Sequence, residues 1–390
     1  MEHPEVLVEL GAVIVGLALL SRLASAIGIP TIPLYLTAGL AFGQGGILPL
    51  VTTTSFIEIG AEIGLILLLF MLGLEYTAVE LLETLKTQAP SGALDAALNF
   101  TPGFVAGLIL DFGVVPAIAL GGVTYVSSSG IVAKLLGDLG RTGNRETPTI
   151  LSILVIEDLV MAIYLPVVAG LLAGGGGVSS LIPALIAGAV VIVVLAMATR
   201  IEVGLSRLVF SKSDEALLLT ILGMTLLIAG TAETFNVSAA VAALLIGILL
   251  SGPAAEGVHG LLSPMRDLFA ALFFAFVGLS VDPSQIPPVL GVAALLALVG
   301  IVTKLMTGWA AAKRAGVGVN GRIRAGTTLV ARGEFSIAIA GVATAAGVGG
   351  DLRAVAISYV FVLAISGPLI VRLADPVIAR LTARAEASAS

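Results

Sequence analysis

Two adjacent acidic residues, Glu157 and Asp158, lie in the middle of the apolar segment TPTILSILVIEDLVMAIYLPVV. If this segment is a transmembrane helix that begins at Thr147, Asp158 lies about 16 Å deep in the bilayer. An ionised carboxylate at that depth costs roughly 2.5 to 3.5 kcal/mol, so something must neutralise it. A proton and a bound cation are alternatives on one carboxylate, and the pair therefore predicts a site where the two compete. A structural acid, satisfied by hydrogen bonds or by a basic neighbour, is the other interpretation.

A lysine lies at similar depth in another apolar segment, GIVTKLMTGW. Lys304 precedes the basic inner end at Lys313 by nine residues, which is about 13 Å along a helix. A buried ammonium group requires a carboxylate partner. We therefore predict that Lys304 pairs with Glu157 and that Asp158 is left for the ion. The alternative is that the Lys304 side chain extends to the cytoplasmic surface.

Hydroxyl groups cluster about halfway along the segment TYVSSSGIVAK, which contains Thr124, Ser127 and Ser128. Several hydroxyl groups followed by Gly130 do not favour a continuous lipid-facing helix. They suit a locally unwound backbone, whose carbonyl groups and helix ends can face a cation. We predict that these three hydroxyl residues contribute to the cation site. Ordinary packing between helices is the alternative.

A second polar interruption, ARGE, occurs seven predicted spans later. There Arg332 and Glu334 flank Gly333. We predict that these two charged residues support the ion site, unless they only neutralise one another. Because an odd number of spans separates the two interruptions, their segments run in opposite directions. This is the arrangement expected of inverted repeats whose broken helices cross at the middle of the membrane.

Composition indicates the environment of these segments. Of the 390 residues, 58% are hydrophobic and 11% are charged, against roughly a quarter charged in soluble domains. Runs of about 20 apolar residues divide the chain into about thirteen predicted spans. They include 114–138, 147–172, 288–312 and 322–346. The sequence therefore predicts an all-α integral membrane protein. The 19 Lys and Arg residues are scattered singly, which does not favour nucleic acid as a partner.

The basic residues also predict the topology. With the N-terminus outside, sixteen Lys and Arg residues fall at the inner ends of the thirteen spans, and Arg353 alone falls outside. Short cytoplasmic loops retain Lys and Arg. We therefore predict an outside N-terminus and a cytoplasmic C-terminus.

Seven segments, in order over nearly the whole chain, resemble patterns of the monovalent cation:proton antiporter-2 family, the Kef and NapA group. The segments are LLLFMLGLEY at 67–76, SSSGIVAKLL at 127–136, VIEDLVM around Glu157, VSAAVAALLIGILLS at 237–251, LFFAFVGLSVD at 272–282, TKLMTG at 303–308 and VARGEFSIAIAG at 330–341. The VARGEFS segment is most similar to potassium/proton exchangers of the KhtU type.

The resemblance implies a NhaA/NapA-like fold and a homodimer in which a mobile core moves the ion by an elevator-type mechanism. Residues 1–390 would form one transmembrane unit. The implied core subdomain includes about 55–172 and 263–346, and the implied dimerisation subdomain includes about 1–43 and 180–251. We expect this chain to lack the C-terminal regulatory domain that many Kef-type members have. In KhtU-type exchangers the regulator is a separate polypeptide, which makes a cytoplasmic RCK-type subunit a candidate partner.

The resemblance also implies roles for three residues. Asp158 matches the aspartate that binds the cation or the proton. Glu157 matches the preceding position, which is acidic in some members and Gln in Kef-type members. Lys304 matches a lysine thought to pair with that position. The Glu-Asp pair departs from the Gln-Asp and Asp-Asp pairs of the family, so the cation and the stoichiometry stay open.

These observations predict a K⁺/H⁺ antiporter of the plasma membrane, with Asp158 as the residue that binds the metal cation. Na⁺/H⁺ exchange by the same fold is the alternative. We expect no cofactor besides the transported K⁺ or Na⁺ and H⁺. A cation channel is a second alternative, although the sequence has no repeated carbonyl filter motif. An intramembrane enzyme would need a base beside Ser127, and no His lies at that depth.

Overall fold

Long apolar runs fold into helices along this chain, because a membrane offers no water to satisfy backbone N–H and C=O groups. The computed structural model describes residues 4–27, 31–43, 46, 54–74, 78–141, 143–173, 189, 193, 213–234, 239–251, 255–279, 283–347 and 350–389. Within these ranges the chain is all-α, as predicted, with fourteen α-helices and a 3₁₀-helix at Pro283–Gln285. The α-helices are α1 (Pro4–Ile27), α2 (Ile32–Phe42), α3 (Thr54–Leu74), α4 (Ala78–Ile109), α5 (Val114–Tyr125), α6 (Ser129–Asp138), α7 (Thr147–Ala173), α8 (Asp214–Thr234), α9 (Ala239–Leu250), α10 (Ala255–Leu279), α11 (Ile286–Arg314), α12 (Val319–Thr328), α13 (Glu334–Ala345) and α14 (Gly350–Ala389).

Seven helical stretches among the described residues are long and apolar enough to cross a membrane. They are Leu10–Ile27, Lys86–Ile109, Val114–Val132, Thr147–Leu172, Asp214–Ala232, Ile286–Arg314 and Asp351–Ala374. Their length and composition agree with the predicted integral membrane class. The number of about thirteen spans stays a prediction. The predicted span 180–200 lies outside the described residues, apart from helical positions 189 and 193.

The chain divides into two compact units. Unit 1 comprises Met1–Ile27, Leu34–Glu83 and Leu159–Ser284, and unit 2 comprises Gly28–Pro33, Thr84–Asp158 and Gln285–Ser390. These boundaries differ from those of the core and dimerisation subdomains that the family resemblance implies. That functional assignment stays a prediction.

In unit 1, α3 packs against α9 and α10. Buried Leu67, Phe70 and Met71 of α3 form a hydrophobic cluster with Ile246 of α9 and Leu262 of α10. Helices in a membrane associate through close packing of their side chains, and this cluster packs three helices of unit 1 together.

Two broken helices cross in unit 2, as predicted. α5 ends at Tyr125 and α6 begins at Ser129, so the predicted span 114–138 is interrupted. In the same way, α12 ends at Thr328 and α13 begins at Glu334. The two interruptions meet where the backbone N–H of Ser128 donates to the carbonyl oxygen of Ala331 at 2.9 Å. We call residues 126–128 and 331–333 together the crossing.

Helix α11 lies close to α12 because both helices have a glycine at their contact. A Cβ atom at Gly308 of α11 would lie 2.4 Å from the Cα atom of Gly326 of α12. Real Cβ atoms do not approach backbone so closely. The same α11 contains Lys304, so this glycine contact helps to fix the position of the lysine.

We expect Gly308→Ala to destabilise the protein by about 1 to 3 kcal/mol, because the added methyl group forces α11 and α12 apart. The measurement is thermal unfolding of the purified protein in detergent. Gly291→Ala is the matched control, since Gly291 lies on the same helix and a Cβ there would meet nothing within 4 Å. Equal melting temperatures for the two variants would contradict the packing argument.

Candidate functional site

The crossing leaves backbone carbonyl groups at the ends of two helices, and side chains satisfy them. Ser336 donates its hydroxyl to the carbonyl oxygen of Val123 at 2.8 Å. Ser127 donates its hydroxyl to the carbonyl oxygen of Leu329 at 3.0 Å. A buried carbonyl without a donor costs free energy, so these bonds stabilise the unwound backbone.

Arg332 is fully buried at the crossing, with an exposed fraction of 0%. Its guanidinium donates to the carbonyl oxygens of Thr124 at 3.0 Å and of Leu329 and Val330 at 3.1 Å each. It also donates to the hydroxyl of Tyr359 at 3.1 Å. The C-terminal ends of α5 and α12 have partial negative charge, which the guanidinium offsets. Arg332 therefore holds the two broken helices together through their ends.

Glu334 is the charged residue predicted to support the ion site together with Arg332. Glu334 begins α13, but its side chain lies outside what the structure describes. The supporting role proposed for Glu334 stays a prediction. The described hydrogen bonds of Arg332 go to carbonyl and hydroxyl oxygens.

Lys304 lies between two carboxylates. Its Nζ atom is 2.7 Å from Oε1 of Glu157 and 2.7 Å from Oδ1 of Asp95. All three residues have an exposed fraction of 0%. The structure thus brings Lys304 and Glu157 together and adds an aspartate from α4 that the sequence did not single out. We call Asp95, Glu157 and Lys304 the acid–lysine cluster.

Glu157 also binds the unwound backbone of the crossing. Its Oε2 atom accepts a hydrogen bond from the backbone N–H of Ser127. Its Oε1 atom also lies 3.1 Å from the Ser127 hydroxyl, whose single proton is shared between Glu157 and the carbonyl oxygen of Leu329. The Glu157 carboxylate therefore connects α7 to the interruption between α5 and α6, and three donors stabilise its ionised form.

Asp158 lies beside the cluster with an exposed fraction of 4%. The hydroxyl of Ser129 lies 3.0 Å from one of its carboxylate oxygens and 3.2 Å from the other. Ser129 begins α6, so Asp158 lies at the N-terminal end of that helix, where a negative charge is favoured. An ionised carboxylate has about four lone-pair sites on its two oxygens, so it can bind a cation as well as hydrogen-bond donors.

Thr124 and Ser128, which were predicted with Ser127 as hydroxyl ligands of the cation, form hydrogen bonds with the backbone. Thr124 donates its hydroxyl to the carbonyl oxygen of Asn99 at 2.8 Å. Ser128 accepts a hydrogen bond from the backbone N–H of Ile131 at 3.2 Å, which caps the start of α6. Their role as cation ligands stays a prediction.

Sequence reasoning missed the residues that surround Lys304 on α4. Asn99 donates its amide to Oδ1 of Asp95 at 2.9 Å and to the hydroxyl of Thr307 at 3.2 Å. It accepts a hydrogen bond from the hydroxyl of Thr303 at 2.7 Å. One pattern could have indicated this pair, since Asp95 and Asn99 are four residues apart and share a helix face.

An ion pair lies just before α7, outside the stretches long enough to span a membrane. Nε of Arg324 donates to Oε1 of buried Glu146 at 2.6 Å, and the amide of Asn144 donates to the same oxygen at 3.0 Å. Burial alone would raise the pKa of Glu146. The hydrogen bonds, chiefly the one from Arg324, outweigh burial and hold the pKa of Glu146 below its ordinary value of 4.5.

Comparison with known proteins identifies relatives of the whole chain. The model of the family described as sodium/hydrogen exchanger, transmembrane, matches residues 11–374. The K(+)/H(+) antiporter subunit KhtU of Bacillus subtilis is 35% identical, over 95% of this chain and 94% of KhtU. The ammonium/H(+) antiporter subunit AmhT of Alkalihalophilus pseudofirmus is 29% identical, over 90% of this chain and 88% of AmhT. These relatives confirm the resemblance found in the sequence.

A solved structure has the same fold. The sodium proton antiporter MjNhaP1 from Methanocaldococcus jannaschii, determined at pH 8, superposes with a TM-score of 0.71 over 95% of this chain and 99% of MjNhaP1. The two sequences are 18% identical, so this likeness concerns the fold alone. It confirms the predicted class of antiporter fold.

We expect Glu146→Gln to lower the melting temperature at neutral pH, because the variant loses the ion pair with Arg324. The folded pKa of Glu146 lies below 4.5. Its contribution to stability is therefore complete above 4.5 and is lost as the pH falls from there through the folded pKa. Melting temperatures measured from about pH 7 to about pH 3.5 should converge for the two proteins at the acid end. Asp267→Asn is the control. Asp267 also forms an ion pair, with Arg266, but its side chain is 68% exposed. A pH-independent difference between Glu146→Gln and the unchanged protein would contradict the assignment.

Proposed function

Because the chain belongs to the sodium/hydrogen exchanger family, we propose that it exchanges K⁺ for H⁺ across a membrane and that Asp158 binds the two ions in turn. The observation that supports this role is the burial of Asp158 beside a carboxylate that already has a partner. Glu157 is bound to Lys304 at 2.7 Å. Asp158 accepts hydrogen bonds from the hydroxyl of Ser129.

The proposed mechanism is a competition at the Asp158 carboxylate. A proton on Asp158 makes the side chain neutral, and the Ser129 hydroxyl can then accept as well as donate. When a cation approaches, the proton leaves, and the ionised carboxylate supplies the charge that the cation requires. Either ion neutralises the same carboxylate. The site therefore favours one bound ion at a time, the proton or the cation.

The residues around Asp158 have supporting roles in this mechanism. Lys304 neutralises Glu157, so the carboxylate next to the ion site does not compete for the cation. Arg332 holds the ends of α5 and α12 together, so the unwound backbone keeps its shape when the ion changes. The Ser127 N–H fixes the Glu157 side chain. We propose that Thr124 and Ser128 add oxygen ligands when the cation is bound.

The choice of K⁺ rests on the name of one relative. KhtU, at 35% identity, is a subunit of a K⁺/H⁺ antiporter. The family description names sodium, and AmhT is a subunit of an ammonium/H⁺ antiporter. Na⁺/H⁺ exchange at the same site is therefore the alternative. A cation channel is the second alternative, and coupling to protons distinguishes it from an antiporter.

The wider organisation follows the same proposal. We propose a homodimer whose core subdomain moves the ion site across the membrane in an elevator-type cycle. We further propose a plasma membrane location with the N-terminus outside and the C-terminus in the cytoplasm. KhtU and AmhT are both named as antiporter subunits, which supports a separate cytoplasmic regulatory subunit for this chain as well.

We expect Asp158→Asn to reduce K⁺-dependent proton flux to the level of empty liposomes, because the amide cannot exchange a proton for a cation. The measurement is a pH-sensitive dye in proteoliposomes that receive K⁺, Na⁺, Li⁺ and ammonium in turn, and K⁺ should give the largest flux. Asp267→Asn is the matched control, because it removes a carboxylate that is 68% exposed. Normal K⁺-dependent proton flux in Asp158→Asn would rule out the mechanism, and a larger flux with Na⁺ would favour the alternative cation.

We also expect the exchange to be electroneutral, because Lys304 stays paired and Asp158 exchanges one charge for one charge. A net movement of one charge would be worth about 2.3 kcal/mol per 100 mV, or roughly fifty-fold in the ion distribution at equilibrium. The measurement compares proton flux with and without a voltage set by a thiocyanate gradient at equal K⁺ on both sides. A strong voltage effect would contradict electroneutral exchange. A current without proton flux would favour a channel.

A further inference from the structure

We propose that Asp95 holds a proton while Glu157 is ionised, and that Asp95 releases this proton to become the partner of Lys304 whenever Glu157 is neutralised. The acid–lysine cluster would then contain a proton-binding site separate from Asp158. This inference goes beyond the proposed exchange at Asp158 and does not depend on which cation is exchanged.

The first argument is the balance of charge within the cluster. Lys304 is 2.7 Å from each of two carboxylates, and all three side chains are at most 1% exposed. One ammonium group neutralises one carboxylate. A second ionised carboxylate at this depth would be an uncompensated charge in a medium of low dielectric constant. One bound proton makes the cluster neutral.

The second argument assigns the proton to Asp95. Both oxygens of Glu157 accept hydrogen bonds, from Lys304 and from the N–H and hydroxyl of Ser127. For Asp95, Oδ1 accepts from Lys304 and from Asn99. Oδ2 of Asp95 is buried and has no hydrogen-bond partner among the described residues. A buried anionic oxygen without a donor costs more free energy than a neutral carboxyl group in the same position.

The groups that face Asp95 from the neighbouring helices agree with this assignment. Lys304 of α11 is the one basic side chain that contacts it in the part of the chain that the structure describes. Glu157 of α7 supplies a competing negative charge across Lys304. Tyr125 of α5 places its ring 5.6 Å from the Lys304 ammonium, and Asn99 on α4 is neutral. Arg332 directs its hydrogen bonds to the ends of α5 and α12 instead.

The proposed change of partner conserves charge. At the start, Glu157 and Lys304 form the ion pair and Asp95 is neutral. If Glu157 takes up a proton or is replaced by Gln, Asp95 releases its own proton and forms the ion pair with Lys304. The Nζ atom already lies within hydrogen-bond distance of both carboxylates, so this change needs no movement of a helix.

Infrared spectroscopy tests the proton directly, because a protonated carboxyl group has its own carbonyl stretch. All proteins in this test contain Asp158→Asn, which removes the exchange site from the spectrum. Adding Asp95→Asn should remove the absorption of one protonated carboxyl group at about pH 7. Adding Glu157→Gln should remove the same absorption, because Asp95 ionises to pair with Lys304. Labelling the aspartate carboxyl groups with ¹³C should lower the frequency of this absorption, because the proton is on Asp95. An absorption that does not shift, or that survives Asp95→Asn, would overturn the proton assignment, and one that survives Glu157→Gln would overturn the change of partner.

Thermal unfolding of the otherwise unchanged protein provides a second test. Asp95→Asn and Glu157→Gln should each shift the melting temperature only slightly, because one carboxylate remains for Lys304. The double variant should lose far more than the sum of the single losses, since Lys304 then has neither carboxylate. Lys304→Met added to the double variant should recover most of that loss. Additive losses would overturn the proposal. Neither readout measures transport, so a failure here is separate from a failure of exchange at Asp158.

Discussion

The ion pairs of the fully buried Lys304 ammonium group with two carboxylates are the interaction on which the rest of the site depends. Water cannot compensate a charge at this depth, so the protein must supply the opposite charge at hydrogen-bond distance. Asp95 and Glu157 do so from two different helices, each at 2.7 Å. The pairing fixes α4, α7 and α11 in register with one another. It also satisfies Glu157, while Asp158 lies at the N-terminal end of α6 beside the hydroxyl of Ser129.

The crossing also needs partners for buried polar groups, which here are the backbone carbonyl groups at the helix ends. An interrupted helix in a membrane leaves carbonyl groups that need donors. Arg332 supplies several donors at once, and the hydroxyls of Ser127 and Ser336 supply two more. Unit 2 can therefore keep unwound backbone next to Asp158. Such backbone is what an ion site needs, because a regular helix uses all of its own carbonyl groups.

The sequence predicted those parts of the site that follow from polar residues within apolar segments. Hydroxyl groups and a glycine within an apolar run predicted the break before Ser129, and the charges of ARGE predicted the second break. The depth of Lys304 predicted an acidic partner. Asp95 was missed because α4 is less apolar than its neighbours and contains Pro90 and Pro102, so one acid there did not stand out. The contacts of Arg332 could not be predicted, because every residue has a carbonyl group and the sequence does not indicate which ones remain without a donor.

The hydrogen bond from the Ser127 backbone to Glu157 makes the length of one side chain important. Glu157 spans the gap between the ammonium of Lys304 and the amide of Ser127 with its two oxygens. An aspartate at this position would be one methylene shorter, by about 1.5 Å. It would reach the ammonium or the amide, but not both. A Glu-to-Asp exchange that conserves charge therefore does not conserve the geometry of this site.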